Sequence, residues 1–496
     1  MDNKQHICKK GTSFGDCELE ILKNAVDEAE KIQGQALVKS PEVQLIVKIV
    51  EEFIEKKKLI CYGGTAINNI LPKDEQFYDY DIELPDYDFF SYNAMEHAIE
   101  LANIYYKKGY TEVTAQAGKH YGTYKVFVNF IPVADITQIH KDIFNTLKKD
   151  AMKRANILYT PTNFLRMLMY LELSRPSGDV SRWEKVLKRL ILLNKHYPMH
   201  THNCSLSSFQ RKLGNNNLPS KKIFDVTHKV ITEHKYIFLG GYANYLYSHY
   251  IDKKKQKKLS SHPDFDILAE DPKKTATIIK ERLEENDIKN VTIVEKPYVG
   301  DQSITLIDTH YMVKVKNDII AIIYQPMHCH SYNELTLNGE KMRVATIDTM
   351  LSFYLAFVFT NRDYFDAERM LCMCSYLFDI QRKNRLAQKG ILKRFSISCY
   401  GKAHTLEDIN KTKGEMFKKL KHDKQSLEYK QWFLRYNPAS VFEYNKMNSG
   451  KKHDKKYHKK TLKKTTFRKN KNTRRFNSKK KLNKSNRNIF NLFGIM

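Results

Sequence analysis

Residues 59–72, "LICYGGTAINNILP", and residues 236–249, "YIFLGGYANYLYSH", share one plan. Each is an apolar run, then Gly-Gly, then a stretch of small residues with helical spacing. The likeness continues downstream. Asp86 in "LPDYDFFS" lies 22 residues after Gly64, and Asp264 in "HPDFDILA" lies 23 residues after Gly241. Both stretches keep the order Pro, Asp, aromatic, Asp, apolar. The parallel extends through "KHYGTYKVFVNFIPVADITQ" beside "THYMVKVKNDIIAIIYQP", both patterned as strands, and then into helical stretches. In the first of these, Trp183, Val186, Leu187, Leu190 and Ile191 recur at helical spacing, which predicts one buried face.

A repeat of this kind predicts two tandem α/β (α+β) units, each a mixed sheet with flanking helices. The chain of 496 residues divides accordingly. Residues 1–58 read as an N-terminal helical segment and 59–200 as the first unit. Residues 201–235 are polar and Gly/Asn-rich, as a linker is. Residues 236–385 form the second unit, 386–448 an appendage, and 449–496 a low-complexity Lys/Arg-rich tail that cannot bury a core of its own and is expected to be disordered.

A carboxylate pair at i and i+2 of a strand projects to one face. Two carboxylates that close repel unless a cation lies between them, so Asp86 and Asp88 suit a hard cation such as Mg²⁺. Asp135, a lone acid within the apolar strand pattern "NFIPVADITQ", is the natural third ligand. Asp79, Asp81 and Glu83 compete for the same role, but only Asp86 and Asp88 are followed by apolar Phe89 and Phe90. Gly63 and Gly64 allow close backbone approach to a phosphate at a helix N-terminus, and Thr65 adds a hydroxyl donor.

The second unit keeps Gly240, Gly241, Asp264 and Asp266. Its counterpart of Asp135, counted along the sequence, falls on Ile323, Tyr324 or Gln325, and no acid occurs from Ile319 to Asn333. This unit is therefore expected to have lost catalysis and either to brace the first or to form a wall of a substrate channel beside it.

Strand, Gly-Gly, Asp-apolar-Asp and a distal Asp together resemble the nucleotidyltransferase superfamily of DNA polymerase beta. Tandem units, "YGGTAINN" and "PDYDFF" resemble more closely the poly(A) polymerase catalytic subunits of poxviruses and giant DNA viruses. The resemblance implies template-independent addition of AMP from ATP to RNA 3′ ends. It implies two Mg²⁺ or Mn²⁺ ions on Asp86, Asp88 and Asp135, and ATP held by Gly63, Gly64 and Thr65. Lys119, Tyr121, Arg182 and Lys185 are further candidates for nucleotide or phosphate contacts. The implied partners are an RNA 3′ end and ATP, with a homodimer or a companion processivity subunit left open. The implied location is the host cytoplasm, in the viral factory, and the virion. The alternatives are another RNA 3′ nucleotidyltransferase of the oligo-U or CCA type, or a non-catalytic RNA-binding protein with the same fold.

Charge and cysteines bound the rest. The net charge is +28, from 84 Lys and Arg against 56 Asp and Glu. Residues 451–496 hold 18 Lys and Arg and one acid, Asp454, which makes +17 there and leaves +11 for the remainder. Such a balance favours a polyanionic partner. No apolar run is long enough for a membrane span, and the first twenty residues lack a signal-peptide core. The eight cysteines show no paired zinc spacing and are expected to be reduced, and adjacent residues in "HCH" (328–330) point apart, so no metal is read there. Deleting residues 450–496 should weaken RNA affinity and reduce its salt dependence while sparing the chemistry. Filter binding across a salt series checks this, and a truncated chain with unchanged affinity would contradict it.

Overall fold

The structure is a computed structural model that describes residues 8, 11–199, 204–205, 209–211, 219–251, 262–384, 387–403 and 405–442. The basic tail from residue 449 lies outside the described residues.

Two helices, α1 (Phe14–Val38) and α2 (Pro41–Lys57), lead in. Helix α2 buries Val43, Ile46, Ile49, Val50, Phe53 and Ile54 at helical spacing and stops where Lys58 turns left-handed. Then come β1 (Ile60–Cys61), α3 (Gly63–Ile70), β2 (Asp88–Ser91), α4 (Ala94–Lys107), β3 (Val113–Ala117), β4 (Thr123–Val128), β5 (Ile131–Gln138), α5 (Lys141–Lys149), β6 (Met152–Arg154), β7 (Ile157–Tyr159), α6 (Thr162–Leu173) and α7 (Trp183–His196). The second half runs α8 (Ser220–Glu233), β8 (Ile237–Leu239), α9 (Gly240–Tyr247), β9 (Phe265–Leu268), α10 (Pro272–Glu285) and β10 (Val291–Lys296). A small pair, β11 (Val299–Gly300) and β12 (Thr305–Ile307), precedes β13 (His310–Val315), β14 (Asp318–Tyr324), β15 (His330–Leu337), β16 (Glu340–Ala345), α11 (Ile347–Val358) and α12 (Ala367–Asn384). The chain closes with β17 (Cys399–Tyr400), α13 (Leu406–Leu420), α14 (Leu427–Phe433) and β18 (Arg435–Tyr436).

The strands form two sheets of the same design. The first has the order β18-β3-β4-β5-β2-β1-β7-β6 and the second β10-β13-β14-β9-β8-β16-β15-β17. Apart from the added edge strands β18 and β17, each strand of one sheet has a counterpart at the same place in the other. The directions match too. β2 runs parallel to β5 as β9 does to β14, and β1 runs parallel to β7 as β8 does to β16. The mixed α/β fold expected from the repeated Gly-Gly and Asp-x-Asp stretches is the fold observed.

The two halves share one core. Helices α6 and α11 are apolar on nearly every side, and both are buried nearly all round, because each lies between its own sheet and the other half. Phe164 of α6 meets Phe359, just past α11, edge to face at 5.1 Å. The backbone N–H of Ser331 donates to the carbonyl of Ser174 across the same seam at 2.8 Å. The polar residues of α6 are paired: Arg166 donates to Asn194 at 2.8 Å and to Asn163 at 2.7 Å, and Glu172 holds Arg175 at 2.8 Å.

Two local expectations are corrected. The buried face of α7 is Val186, Arg189, Leu190 and Leu193, while Ile191 faces solvent. The stripe is rotated because α7 seats on the aromatic pair Phe77 and Tyr78, which receive Arg189. The cysteines are not all reduced thiols: Cys8–Cys17, Cys204–Cys372 and Cys329–Cys399 are disulfides, and Cys61 and Cys374 are buried and free. The last two bridges join positions 168 and 70 residues apart, which only tertiary folding brings together.

Candidate active site

Strand β1 is buried and runs directly into Tyr62 and the Gly-Gly turn. Gly63 sits at φ +75°, a left-handed conformation, and a Cβ there would lie 2.6 Å from Asp88 Oδ2. A side chain at Gly64 would collide with the Tyr78 hydroxyl and approach Arg189 Nη2 to 2.9 Å. Helix α3 thus starts with bare amides beside the carboxylates. The Thr65 hydroxyl donates to the backbone carbonyl of Asp86 at 2.6 Å, so it ties the turn to the carboxylate loop.

Asp86 lies just before β2, and Asp88 is its first residue. Their neighbours Tyr87 and Phe89 turn inward, so the two carboxylates share the opposite face. Across the parallel pair β2/β5, Asp88 is the register partner of Asp135. The Tyr62 amide donates to the Asp88 carbonyl at 2.9 Å and the Asp135 amide to the Tyr87 carbonyl at 3.0 Å, which fixes the alignment. Behind it, Tyr62 stacks on Phe90 at 4.0 Å.

The electrostatics follow from that geometry. Burial, then the charges of Asp86 and Asp135, push the Asp88 carboxyl well above the usual carboxylate range, against Lys125 and Arg182. Asp86 is raised by burial and then by Asp135, against Lys125 and Lys185, although solvent reaches it more freely. Lys125, opposite Asp135 across β4/β5, forms an ion pair with it. Asp79 and Asp81 instead close a local turn at the surface, with the Asp81 amide donating to Asp79.

Three carboxylates on adjoining strand positions are a donor set for hard divalent cations. Among the described residues no three His, Cys, Asp or Glu side chains are gathered tightly enough to form a ready ion cage. Asp135 leans to Lys125, whose ammonium supplies the positive charge this face requires. Burial first, and mutual repulsion after it, raise the Asp86 and Asp88 carboxyls, and the repulsion is what divalent ions would relieve.

The other candidates divide into two groups. Arg182 and Lys185 bear on the acids electrostatically from the start of α7. Tyr121 does not join them: its ring packs on Trp432 at 4.6 Å and its hydroxyl donates to Gln431 at 3.2 Å, both on α14. Lys119 is exposed in the β3–β4 loop. Two residues were missed. Arg189 donates to the Tyr78 hydroxyl at 2.7 Å and lies against Gly64, and Lys125 neutralises Asp135. Arg182, Lys185 and Arg189 fall at i, i+3 and i+7, one helical face, a signal present in the sequence. The Lys125 pairing needs the strand register and was not legible.

The second unit repeats the frame with a different filling. Gly240 is left-handed at φ +64°, as Gly63 is. In β9/β14 the register partner of Asp266 is Ile322, one residue before the range counted from sequence, so no acid stands where Asp135 stands. Arg211 occupies the face instead. Its guanidinium contacts Asp264 at 2.5 Å and Asp266 at 3.0 Å, and its amide donates to Asp264 at 2.6 Å. Burial opposes the Arg211 charge, but Asp264 and Asp266 more than offset it and hold the group protonated. Arg211 comes from within the stretch read as a polar linker, where Phe209 and Gln210 are also buried.

Comparison with known proteins follows the same lines. Residues 48–179 match the family model described as Poly(A) polymerase catalytic subunit. A protein of African swine fever virus, described as a candidate poly(A) polymerase catalytic subunit, is 38% identical over 178 residues, covering 34% of this chain and 36% of that protein. One of Acanthamoeba polyphaga mimivirus with the same description is 30% identical over 213 residues, 40% of this chain and 35% of the relative. The chain resembles viral poly(A) polymerase catalytic subunits. The matched segments span about a third of the length of these curated relatives, and the family-model match contains the whole Gly63 to Asp135 arrangement. The crystal structure of the Megavirus polyadenylate synthase superposes with a TM-score of 0.71 at 20% identity, covering 93% of both chains. The fold is shared over nearly the full length.

The raised carboxyls set a stability signature. Without divalent ions, a carboxyl whose folded pKa exceeds its unfolded value contributes stability below the unfolded pKa and loses it as pH rises through the folded one. Asp88→Asn should therefore raise the melting temperature near neutral pH in chelator and flatten its pH dependence. With Mn²⁺ the order should reverse, because only the wild type gains binding free energy, about 2.7 kcal/mol at a hundredfold excess over Kd. A wild type insensitive to Mn²⁺ would contradict the cation site.

Proposed function

We propose that the chain is a template-independent polynucleotide adenylyltransferase that transfers AMP from ATP to the 3′ end of mRNA. The observation that supports this best is the register pairing of Asp88 with Asp135, with Asp86 on the same face and the Gly63–Gly64 amides adjoining. In the reaction the RNA 3′-hydroxyl oxygen forms a bond to the α-phosphorus of ATP. The bond from that phosphorus to the bridging oxygen breaks, pyrophosphate leaves, and the hydroxyl gives up its proton.

The chain's own groups fit distinct parts of this task. Amides at the start of α3 receive triphosphate oxygens, since they lack carbonyl partners within the helix. Arg189, with Lys185 on the same face of α7 and Arg182 at its N-cap, supplies positive charge beside that turn. Asp86, Asp88 and Asp135 would hold two Mg²⁺ or Mn²⁺ ions, which supply Lewis-acid stabilisation of the developing charge. Lys125 keeps Asp135 aligned until such ions bind.

The division of labour belongs to the same proposal. Residues 59–200 carry the chemistry, and residues 236–385 brace it through the α6/α11 seam, with their own carboxylates closed by Arg211. RNA and ATP are the substrates, and the host cytoplasm is the place of action. No helix among the described residues is long and apolar enough to cross a membrane.

A primer-extension assay with purified full-length protein, an RNA primer, Mg²⁺ or Mn²⁺ and each nucleoside triphosphate separately tests the reading. Extension with ATP alone is expected. Preference for UTP would point to an oligo-U enzyme, and tight RNA binding without extension would make the chain a binding protein.

A further inference from the structure

Helix α1 is out of character with the rest of the molecule. It runs for 25 residues and buries none of them. Phe14, Ile21, Leu22, Ala25 and Ile32 recur along one face at helical spacing, with Phe14 81% and Ile32 61% exposed. The helix also carries six Asp and Glu against two Lys, with Glu18 set within the apolar face and most of the other charges on the remaining faces, a net charge of −4 in a chain of +28. An uncovered apolar stripe on an acidic helix demands a basic partner with apolar residues of its own. RNA is repelled by this charge, and a second α1 laid against the first would be repelled equally.

The chain itself supplies the complementary segment. Residues 451–496 combine 18 Lys and Arg with the apolar end "NIFNLFGIM". The described chain ends at Phe442, whose ring stacks on Tyr106 of α4 at 5.1 Å. Helix α4 is held to α2 by the pair Lys57–Glu100 at 2.7 Å, and α2 follows α1 after only Lys39 and Ser40. The exit point is thus one helix away from α1. A span of 54 residues beyond Phe442, at up to roughly 3.3–3.6 Å each, exceeds several-fold the roughly 37 Å length of a 25-residue helix.

We propose that α1 is the docking surface for this chain's own C-terminal segment. Lysines of residues 451–487 meet the α1 carboxylates, and Ile489, Phe490, Leu492 and Phe493 cover the stripe of Phe14, Ile21 and Ile32. Docked there, the tail is withheld from RNA, a consequence that rests on the proposed function, whereas the docking itself does not.

Zero-length carbodiimide crosslinking of the full chain, with mass spectrometry and no RNA or ATP present, tests this. A mixture of isotopically light and heavy chains separates contacts within a chain from contacts between chains. Crosslinks from Asp27, Glu28 and Glu30 to tail lysines within one chain are expected, severalfold above those from the equally exposed Glu281, Glu284 and Glu285 of α10. They should fade at about 1 M salt, where the screening length drops to about 3 Å. The double variant Ile21→Ser, Ile32→Ser, which alters only exposed side chains, should cut the yield severalfold. Equal yields from α1 and α10, crosslinks mainly between light and heavy chains, or a yield unaffected by the serine variant would each overturn the proposal.

Discussion

Pairing Asp88 with Asp135 across two parallel strands forces two carboxylates side by side, and Asp86 adds a third charge to the same face. Such a concentration of negative charge on a half-buried surface is stable only if a cation answers it. Most of the first unit can be understood as the frame that imposes this pairing. The Tyr62 amide grips the Asp88 carbonyl, Tyr62 stacks on Phe90, and Gly63 takes a left-handed turn that clears space for the Asp88 carboxylate. Lys125 answers part of the charge and leaves Asp86 and Asp88 with raised carboxyls.

The second unit meets the same constraint by a different route. It retains the frame, including the left-handed glycine and the Asp264/Asp266 pair, but one hydrophobic residue, Ile322, takes the place of the third acid. The remaining two charges are met by Arg211, whose planar guanidinium spans both carboxylates. A residue that is always protonated makes this a permanent closure rather than a vacancy open to exchangeable ions. The Cys204–Cys372 disulfide anchors the segment seven residues before Arg211 to α12, so the closing residue is delivered on a tethered strand of chain.

Much of this is legible in the sequence. The repeated Gly-Gly and Asp-x-Asp stretches led to the fold because their physical requirements are local: a turn that only glycine takes easily, and an i, i+2 pair that must share a face. Asp135 was legible as a lone acid in an apolar strand. Lys125, Arg211 and the disulfides were not, since each depends on which distant segments meet. Ile322 shows the limit well, as counting along the sequence missed it by one residue and strand pairing placed it. Arg189 lay between the two cases. Its helical spacing from Arg182 and Lys185 was visible, but its seat between Tyr78 and Gly64 was not.

The central claim is that one unit performs the chemistry and the other supports it. The most direct measurement compares RNA primer extension from ATP by Asp86→Ala and Asp264→Ala proteins, each first shown by circular dichroism to be folded. The account predicts that Asp86→Ala abolishes extension and that Asp264→Ala retains most of it. Equal loss in both folded variants would contradict it.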